Sequence, residues 1–259
     1  MSYLRDRAIV LKSEPFREHD RRVVMYGLSH GLMEAVARGA LRHGAKQCGH
    51  LLPMTEADVM IAKGAAFDKL AVATCVNSYR GLRNRLGGLA IVGAFFDLFE
   101  KLQQPGISDE SLYRLLQSLL DVASNLPEDP SIERAKLIYS AAVMKLLDRT
   151  GYSPQIQSCG LCRDTFEDED VRQLPLDGSL AHEDCYRSVR SSQPNAMRLT
   201  HGVRSVARFL REESLDRALL ITGTSQGFAL VSSMILSFLK QAPLMKEPHG
   251  VFTISSVLS

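Results

Sequence analysis

The stretch Arg21-Arg-Val-Val-Met-Tyr-Gly-Leu28, continued by Ser29-His-Gly31 and Leu32-Met-Glu-Ala-Val-Ala-Arg38, decides how this chain begins to fold. Two apolar-rich runs joined by a short turn containing Gly are the sequence mark of a β-hairpin. In the second run Leu32, Glu34, Val36 and Arg38 recur with period two and share one face of a strand. Working outward, Arg7 to Ser13 predicts a strand before the hairpin. Ala57 to Ala62 and Phe67 to Val76, separated by Lys63-Gly64, predict two more after it. Five half-polar strands in about seventy residues predict a small closed barrel of the OB type, and an SH3-like barrel would give nearly the same string.

After Tyr79-Arg-Gly-Leu-Arg-Asn-Arg85 the apolar period changes to that of helices. Leu89, Val92, Phe95, Phe96, Phe99 and Leu102 mark a first helix that Pro105-Gly106 ends. Ser108 is the expected cap of a second, with Leu112, Leu115, Leu116 and Leu119 as its stripe. Asp129-Pro130 is the expected opening of a third, with Gly151 as its stop. Thr200 to Glu213 and Gln226 to Lys240 read as further helices, and the tail after Pro243 has no clear period. The class is therefore α+β: an OB-type barrel over residues 1–80, then a helical domain over 81–259 that carries an inserted metal knuckle at about 155–190.

That knuckle is Cys159-Gly-Leu-Cys162, answered by His182-Glu-Asp-Cys185. Structural zinc takes four thiolate or imidazole ligands in a tetrahedron, and two ligands separated by two residues grip one ion from a single turn. Asp177-Gly178 between the halves is a type I′ turn signal that would fold a hairpin and carry the second pair over the first. A redox pair would want its first Cys at a helix N-terminus after a strand, whereas Gly151-Tyr-Ser-Pro154 stands upstream. A zinc deaminase needs H-x-E ahead of its cysteines and one open metal position; here the order is reversed and four protein ligands close the set. Asp164, Glu167, Asp168, Glu169 and Asp170 read as a solvated acidic rim. The expected cofactor is one structural Zn²⁺ on Cys159, Cys162, His182 and Cys185.

The chain has 259 residues, 45% of them hydrophobic, and a net charge of +2. That total hides a split. Residues 1–85 hold fourteen Lys and Arg against eight Asp and Glu, a net +6, and the remainder holds seventeen against twenty-one, a net −4. A basic front third points to an anionic partner such as nucleic acid. The clearest footprint is the glycine-rich loop from Gly39 to His50, with Arg42, His43, Lys46 and, at its root, Arg38. Glycines let backbone approach a ligand closely, and clustered cations suit phosphate oxygens. Arg17, Arg21 and Arg22 border the first inter-strand loop, and Arg80 and Arg83 follow the last strand. Aromatic residues for base stacking are sparse, namely Phe16, Tyr26, Phe67 and Tyr79, so binding dominated by phosphate contacts is expected.

Other classes find little purchase. The sequence has no apolar run of membrane-spanning length, and Met1-Ser-Tyr-Leu-Arg-Asp-Arg7 is unlike a signal peptide, so the expected location is the cytoplasm. A Gly-rich nucleotide loop, a nucleophile-and-base pair and a carboxylate cluster with cation-binding spacing are all missing from the pattern, which reads as a binding protein and not an enzyme. A zinc-dependent nucleic-acid enzyme and a basic adaptor contacting only proteins remain as alternatives.

Taken in order, Ala8-Ile-Val-Leu11 with Glu18-His-Asp-Arg-Arg22, Gly31-Leu-Met-Glu-Ala-Val-Ala-Arg-Gly39, Leu52-Pro53, Ser78-Tyr-Arg-Gly-Leu-Arg83 and Gly151-Tyr152 leading into Cys159-x-x-Cys162 resemble the RecO family of bacterial recombination mediators. The resemblance covers most of the chain. It implies an N-terminal OB domain, a central helical domain and a zinc module. It also implies binding of single- and double-stranded DNA, annealing of complementary strands, and, with RecR, help in loading RecA onto DNA coated with single-stranded-DNA-binding protein. Zinc modules in the family commonly carry four cysteines, and His182 departs from that pattern.

Overall fold

The computed structural model describes residues 2–43, 45, 48–126 and 132–241. The chain forms two compact units, residues 1–128 and 129–259. No helix among the described residues is long and apolar enough to cross a membrane.

The first unit opens with five strands: β1 (Tyr3–Pro15), β2 (Arg21–Gly27), β3 (Gly31–Ala37), β4 (Glu56–Ala62) and β5 (Lys69–Asn77). They close into a barrel in the order β1-β2-β3-β5-β4, with β4 returning to β1. All neighbours are antiparallel except β3 and β5, which meet in parallel at Val36 and Lys69. This is the order of an OB barrel. A register shift between Val10 and Lys12 lets the long β1 pair with β4 through its first half and with β2 through its second. The interior is lined largely by small residues, among them Ala8, Ala35, Ala37, Ala57 and Ala73, with Val10, Val23, Met25, Val59 and Ile61 filling the remainder. Five strands enclose a narrow space, and alanines let the walls approach.

The strands were expected to be half polar, and two of them are not. Ile9, Val24 and Tyr26 point away from the barrel interior yet are buried. A helix of the same unit covers that outer face: Tyr26 meets the Phe99 ring edge-to-face at 5.0 Å. Burial on both faces explains why Ala8-Ile-Val-Leu11 and Val23-Val-Met-Tyr26 read as continuous apolar runs.

Three helices complete this unit: α1 (Arg80–Arg83), α2 (Leu86–Leu102) and α3 (Glu110–Ser124). The cap of α3 is Asp109, one residue later than expected, its carboxylate accepting from the Ser111 N–H at 2.7 Å. The Asp109 N–H in turn donates to the Tyr26 hydroxyl at 3.1 Å, so the helix start is fixed by the barrel. Gly31, at φ +64°, is packed so closely that a Cβ would lie 1.9 Å from the Ile107 carbonyl oxygen.

The second unit begins with α4 (Ile132–Arg149). The expected opening of this helix at Asp129-Pro130 lies outside the described residues. Its end is as expected: Gly151 adopts φ +81°, its N–H donates to Asp148 O at 3.3 Å, and the Tyr152 N–H reaches back to Leu147 O at 2.8 Å. That double return satisfies the last carbonyls and requires the left-handed conformation that glycine tolerates. There follow β6 (Val171–Gln173), β7 (Leu180–His182), α5 (Glu183–Val189), β8 (Met197–Leu199), α6 (His201–Glu212) and α7 (Ser225–Gln241). β6, β7 and β8 form a small sheet in the order β7-β6-β8, whose last strand the sequence pattern did not disclose. α4, α6 and α7 pack together, with Ser140 Oγ bonded to Ser232 Oγ at 3.1 Å in their buried interior. The sheet is thus inserted between helices of one body. The tail after Pro243 lies outside the described residues.

Candidate metal centre and nucleic-acid interface

Cys159 and Cys162 sit in a tight turn that is pinned at both ends. The Cys159 N–H donates to Asp164 O at 2.8 Å, and the Arg163 N–H to Cys159 O at 3.0 Å. Gly160 fastens this turn to the sheet through its N–H to Leu180 O at 2.8 Å; a Cβ there would lie 2.7 Å from Ser179 Oγ. The second pair lies at a strand-to-helix junction, with His182 closing β7 and Cys185 in the first turn of α5. The hairpin between the halves forms, pairing Val171 with His182 and Gln173 with Leu180. Its turn is not type I′, because Gly178 alone has positive φ and a type I′ turn needs two such residues. A longer loop closes instead between Leu174 and Ser179, with Asp177 accepting from the Ser179 N–H at 3.0 Å.

The three sulfurs and the His182 ring nitrogen come together within 4.8 Å of one another. His182 Nδ1 lies 3.4 Å from Cys162 Sγ and 3.9 Å from Cys185 Sγ. A tetrahedral ion with Zn–S and Zn–N bonds of ordinary length has sulfur-to-nitrogen edges of about 3.6 Å, so the donor set can hold one metal ion of this size. The acidic rim is not wholly idle: Glu169 Oε1 stands 3.4 Å from His182 Nε2 and so orients the ring whose other nitrogen faces the sulfurs. The edge of Phe166 packs on the same ring, 4.8 Å between centroids.

The thiols are electrostatically unequal. Burial opposes ionisation of Cys159, but N–H groups of Cys162, His182 and Leu161 outweigh it and hold its pKa down to about 6. Cys185 is pushed up to about 12, first by burial and then by the neighbouring thiols. At Cys162 the Asp164 N–H favours the thiolate, but desolvation and hydrogen bonding to the Cys159 thiol together outweigh it and the pKa is raised. Three thiolates this close repel one another, and a divalent cation is the natural compensation.

In the barrel unit, loops distant in sequence are drawn together. The Gly39 N–H donates to Asp20 Oδ1 at 2.8 Å and the Leu41 N–H to His19 O at 2.9 Å, which ties the β3–β4 connection to the β1–β2 loop. The Val36 N–H donates to Asp68 O at 2.9 Å, bringing in the β4–β5 loop. Arg38, Arg42 and His43 are exposed on this cluster, and Arg38 and Arg42 make no ion pair among the described residues. Lys46 lies outside the described residues. Arg21, at the start of β2, is half-buried and bonded to Ser13 Oγ at 3.1 Å. Arg22 is exposed but held by Glu34 at 2.6 Å.

Arg80 and Arg83 stand elsewhere. Arg83 is bonded to Pro53 O at 3.1 Å and Thr55 Oγ1 at 2.9 Å, just before β4, whereas the β4–β5 loop follows β4. The seven residues of β4 separate the two places by roughly 20 Å at the usual strand rise. Arg80 is exposed on α1. Of the aromatic residues, Tyr26 and Tyr79 are buried and belong to the packing; burial pushes the pKa of both phenols up. Phe16 and Phe67 lie on the loop cluster.

A closed OB-type barrel with exposed cations on its loops, in one chain with a Cys3His group that could hold a metal ion, defines an α+β protein. The family described as recombination protein O matches this chain through both of its parts, the N-terminal one at residues 1–79 and the C-terminal one at residues 83–243. The chain belongs to that family. It is similar to proteins named DNA repair protein RecO: 28% identical over 185 residues to that of Rubrobacter xylanophilus, covering 71% of this chain and 72% of the relative. The RecO of Geobacter sulfurreducens is 27% identical over 209 residues, covering 81% and 84% of the two chains. That of Geobacter metallireducens is 26% identical over 249 residues, covering 93% and 98%. Family membership gives the chain a role in DNA repair and recombination.

Proposed function

We propose that this protein is a DNA-binding recombination mediator that works by binding and not by bond chemistry. It holds single- and double-stranded DNA through the loop cluster of its barrel, anneals complementary strands, and with RecR assists RecA loading on DNA coated with single-stranded-DNA-binding protein. The observation that carries this reading is the meeting of three inter-strand loops with Arg38 and Arg42 exposed and making no ion pair among the described residues. OB barrels bind oligonucleotides through such loops, and unpaired guanidinium groups on them suit phosphate oxygens. Neutralising phosphates on two strands at once lowers their mutual repulsion, which is the physical requirement for annealing. Lys46 and His43 extend the same loop; Arg21, Arg22, Arg80 and Arg83 are the supporting cations, with Arg22 and Arg83 already engaged within the protein.

Cys159, Cys162, His182 and Cys185 would hold one structural Zn²⁺. The ion would supply cross-linking: four fixed bonds joining a turn, a strand end and a helix start around the small apolar cluster of Leu174, Ala181, Tyr186 and Ala196. Work in the cytoplasm is the natural consequence of a nucleic-acid substrate.

The reading is tested by titrating single strands and duplex across a salt series. Each phosphate contact should contribute about −0.7 to the slope of log K against log salt for single strands and about −0.9 for duplex. Arg38→Ala combined with Arg42→Ala should flatten the slope by roughly two such units and weaken all sequences alike. Unchanged affinity and slope would make the loop a solvated surface and favour the adaptor that contacts only proteins.

A further inference from the structure

The β1–β2 and β4–β5 loops meet through aromatic rings. Phe16 and Phe67 lie edge-to-face, 6.2 Å between centroids at 70°, and the Arg17 guanidinium carbon stands 5.1 Å from both ring centres. Neither ring belongs to the barrel's interior cluster. Phe16 remains 43% exposed with all these contacts in place, so part of its ring is open to a ligand.

We propose that Phe16 and Phe67, with the plane of Arg17, form a stacking platform for unpaired nucleobases, giving the protein a hold on single strands that duplex does not share. The inference rests on the DNA-binding reading above. Every base offers a π face, so a platform of this kind is indifferent to sequence, and a guanidinium stacks on rings and bases alike. In duplex the faces are already stacked within the helix and the platform has nothing to take. Its place is also right: the loop carrying Phe16 accepts the N–H groups of Gly39 and Leu41, so the platform adjoins the loop that bears Arg38 and Arg42. A strand whose phosphates lie on those cations can turn its bases toward the rings.

The platform is formed before any ligand arrives. The β1–β2 loop is closed by the Phe16 N–H to Asp20 O at 3.0 Å and the Asp20 N–H to Arg17 O at 3.3 Å. Asp68 fixes the β4–β5 loop, pairing with Lys63 at 2.6 Å and accepting the Gly64 N–H at 3.3 Å. A preformed site loses little conformational entropy on binding.

The chain contains no tryptophan, so Phe16→Trp supplies a single tryptophan reporter on the platform. Its emission should be quenched by oligothymidylate and left nearly unchanged by an abasic oligonucleotide of equal length or by duplex. Phe16→Ala and Phe67→Ala should each weaken oligothymidylate binding by roughly 5- to 150-fold, the range for losing one base stack, with the salt slope and duplex affinity unchanged. Phe16→Leu keeps apolar bulk without a π face and should bind as weakly as the alanine variant while melting like the parent. Equal affinity of the parent protein for oligothymidylate and abasic strand, with the salt slope intact, would overturn the platform and leave the cationic reading standing. Absence of binding to any DNA at low salt would overturn both.

Discussion

Metal affinity should rise about a hundredfold for each pH unit between 7 and 8, because ligation there displaces about two thiol protons per ion and not three. Cys159 has its pKa held down to about 6, so above pH 7 its sulfur is already a thiolate before the metal arrives. Cys185 at about 12 and Cys162, raised above an ordinary thiol, still carry their protons and must lose them to become ligands. Each proton released adds one logarithmic unit of affinity per unit of pH, by linkage, so the sign is fixed: affinity grows with pH and two protons set the slope. The perturbation is removal of the ion from reduced, intact protein with a chelator, followed by zinc titration against a coloured competing chelator at several pH values in this window. Proton release is counted independently in weak buffer with an indicator dye. A slope near three would mean that Cys159 is an ordinary thiol and that the N–H groups of Cys162, His182 and Leu161 do not converge on it in the metal-free chain. A slope near zero would remove the thiolate site altogether.

Cys162→Ser should release the ion and lower the melting temperature of the second unit, while the barrel's circular dichroism signature survives; full zinc occupancy by elemental analysis in this variant would contradict the assigned ligands. Gly31→Ala should unfold or aggregate the first unit, because its Cβ would stand 1.9 Å from the Ile107 carbonyl at φ +64°, and a melting temperature within a degree of the parent would refute that packing. Tyr113→Phe removes the hydroxyl that donates to the buried Glu56 carboxylate at 2.8 Å, beside the Gln117 amide at 2.9 Å. It should cost about 1–3 kcal/mol in urea unfolding, and a stabilised variant would show that Glu56 is satisfied without it.

Some of this protein was legible in the chain alone, and the reason is locality. Period-two runs around Ser29-His-Gly31 gave the hairpin, Gly151 stopped a helix through its own left-handed φ, and the paired spacing of Cys159, Cys162, His182 and Cys185 announced a tetrahedral donor set. Each signal depends on residues within a few positions of one another. The cap of α3 escaped by one residue because the Asp109 N–H is claimed by Tyr26, 83 positions away. β8 escaped because a three-residue strand has no period to read. The cations divide in the same way. Nothing near Arg83 says that Pro53 and Thr55 engage it, nor does anything near Arg22 say that Glu34 does, whereas Arg38 and Arg42 make no ion pair among the described residues. A long charged side chain can reach any acceptor within several ångströms, and only the closed barrel determines which acceptors those are. The meeting of Phe16 with Phe67 across two loops is likewise a product of barrel closure. Backbone preference and residue spacing made the strands, the helix stop and the four residues that could hold a metal readable along the chain. Which aromatic and cationic groups are buried or engaged, and which stay exposed, follows from barrel closure, because it depends on contacts between segments with no local relation.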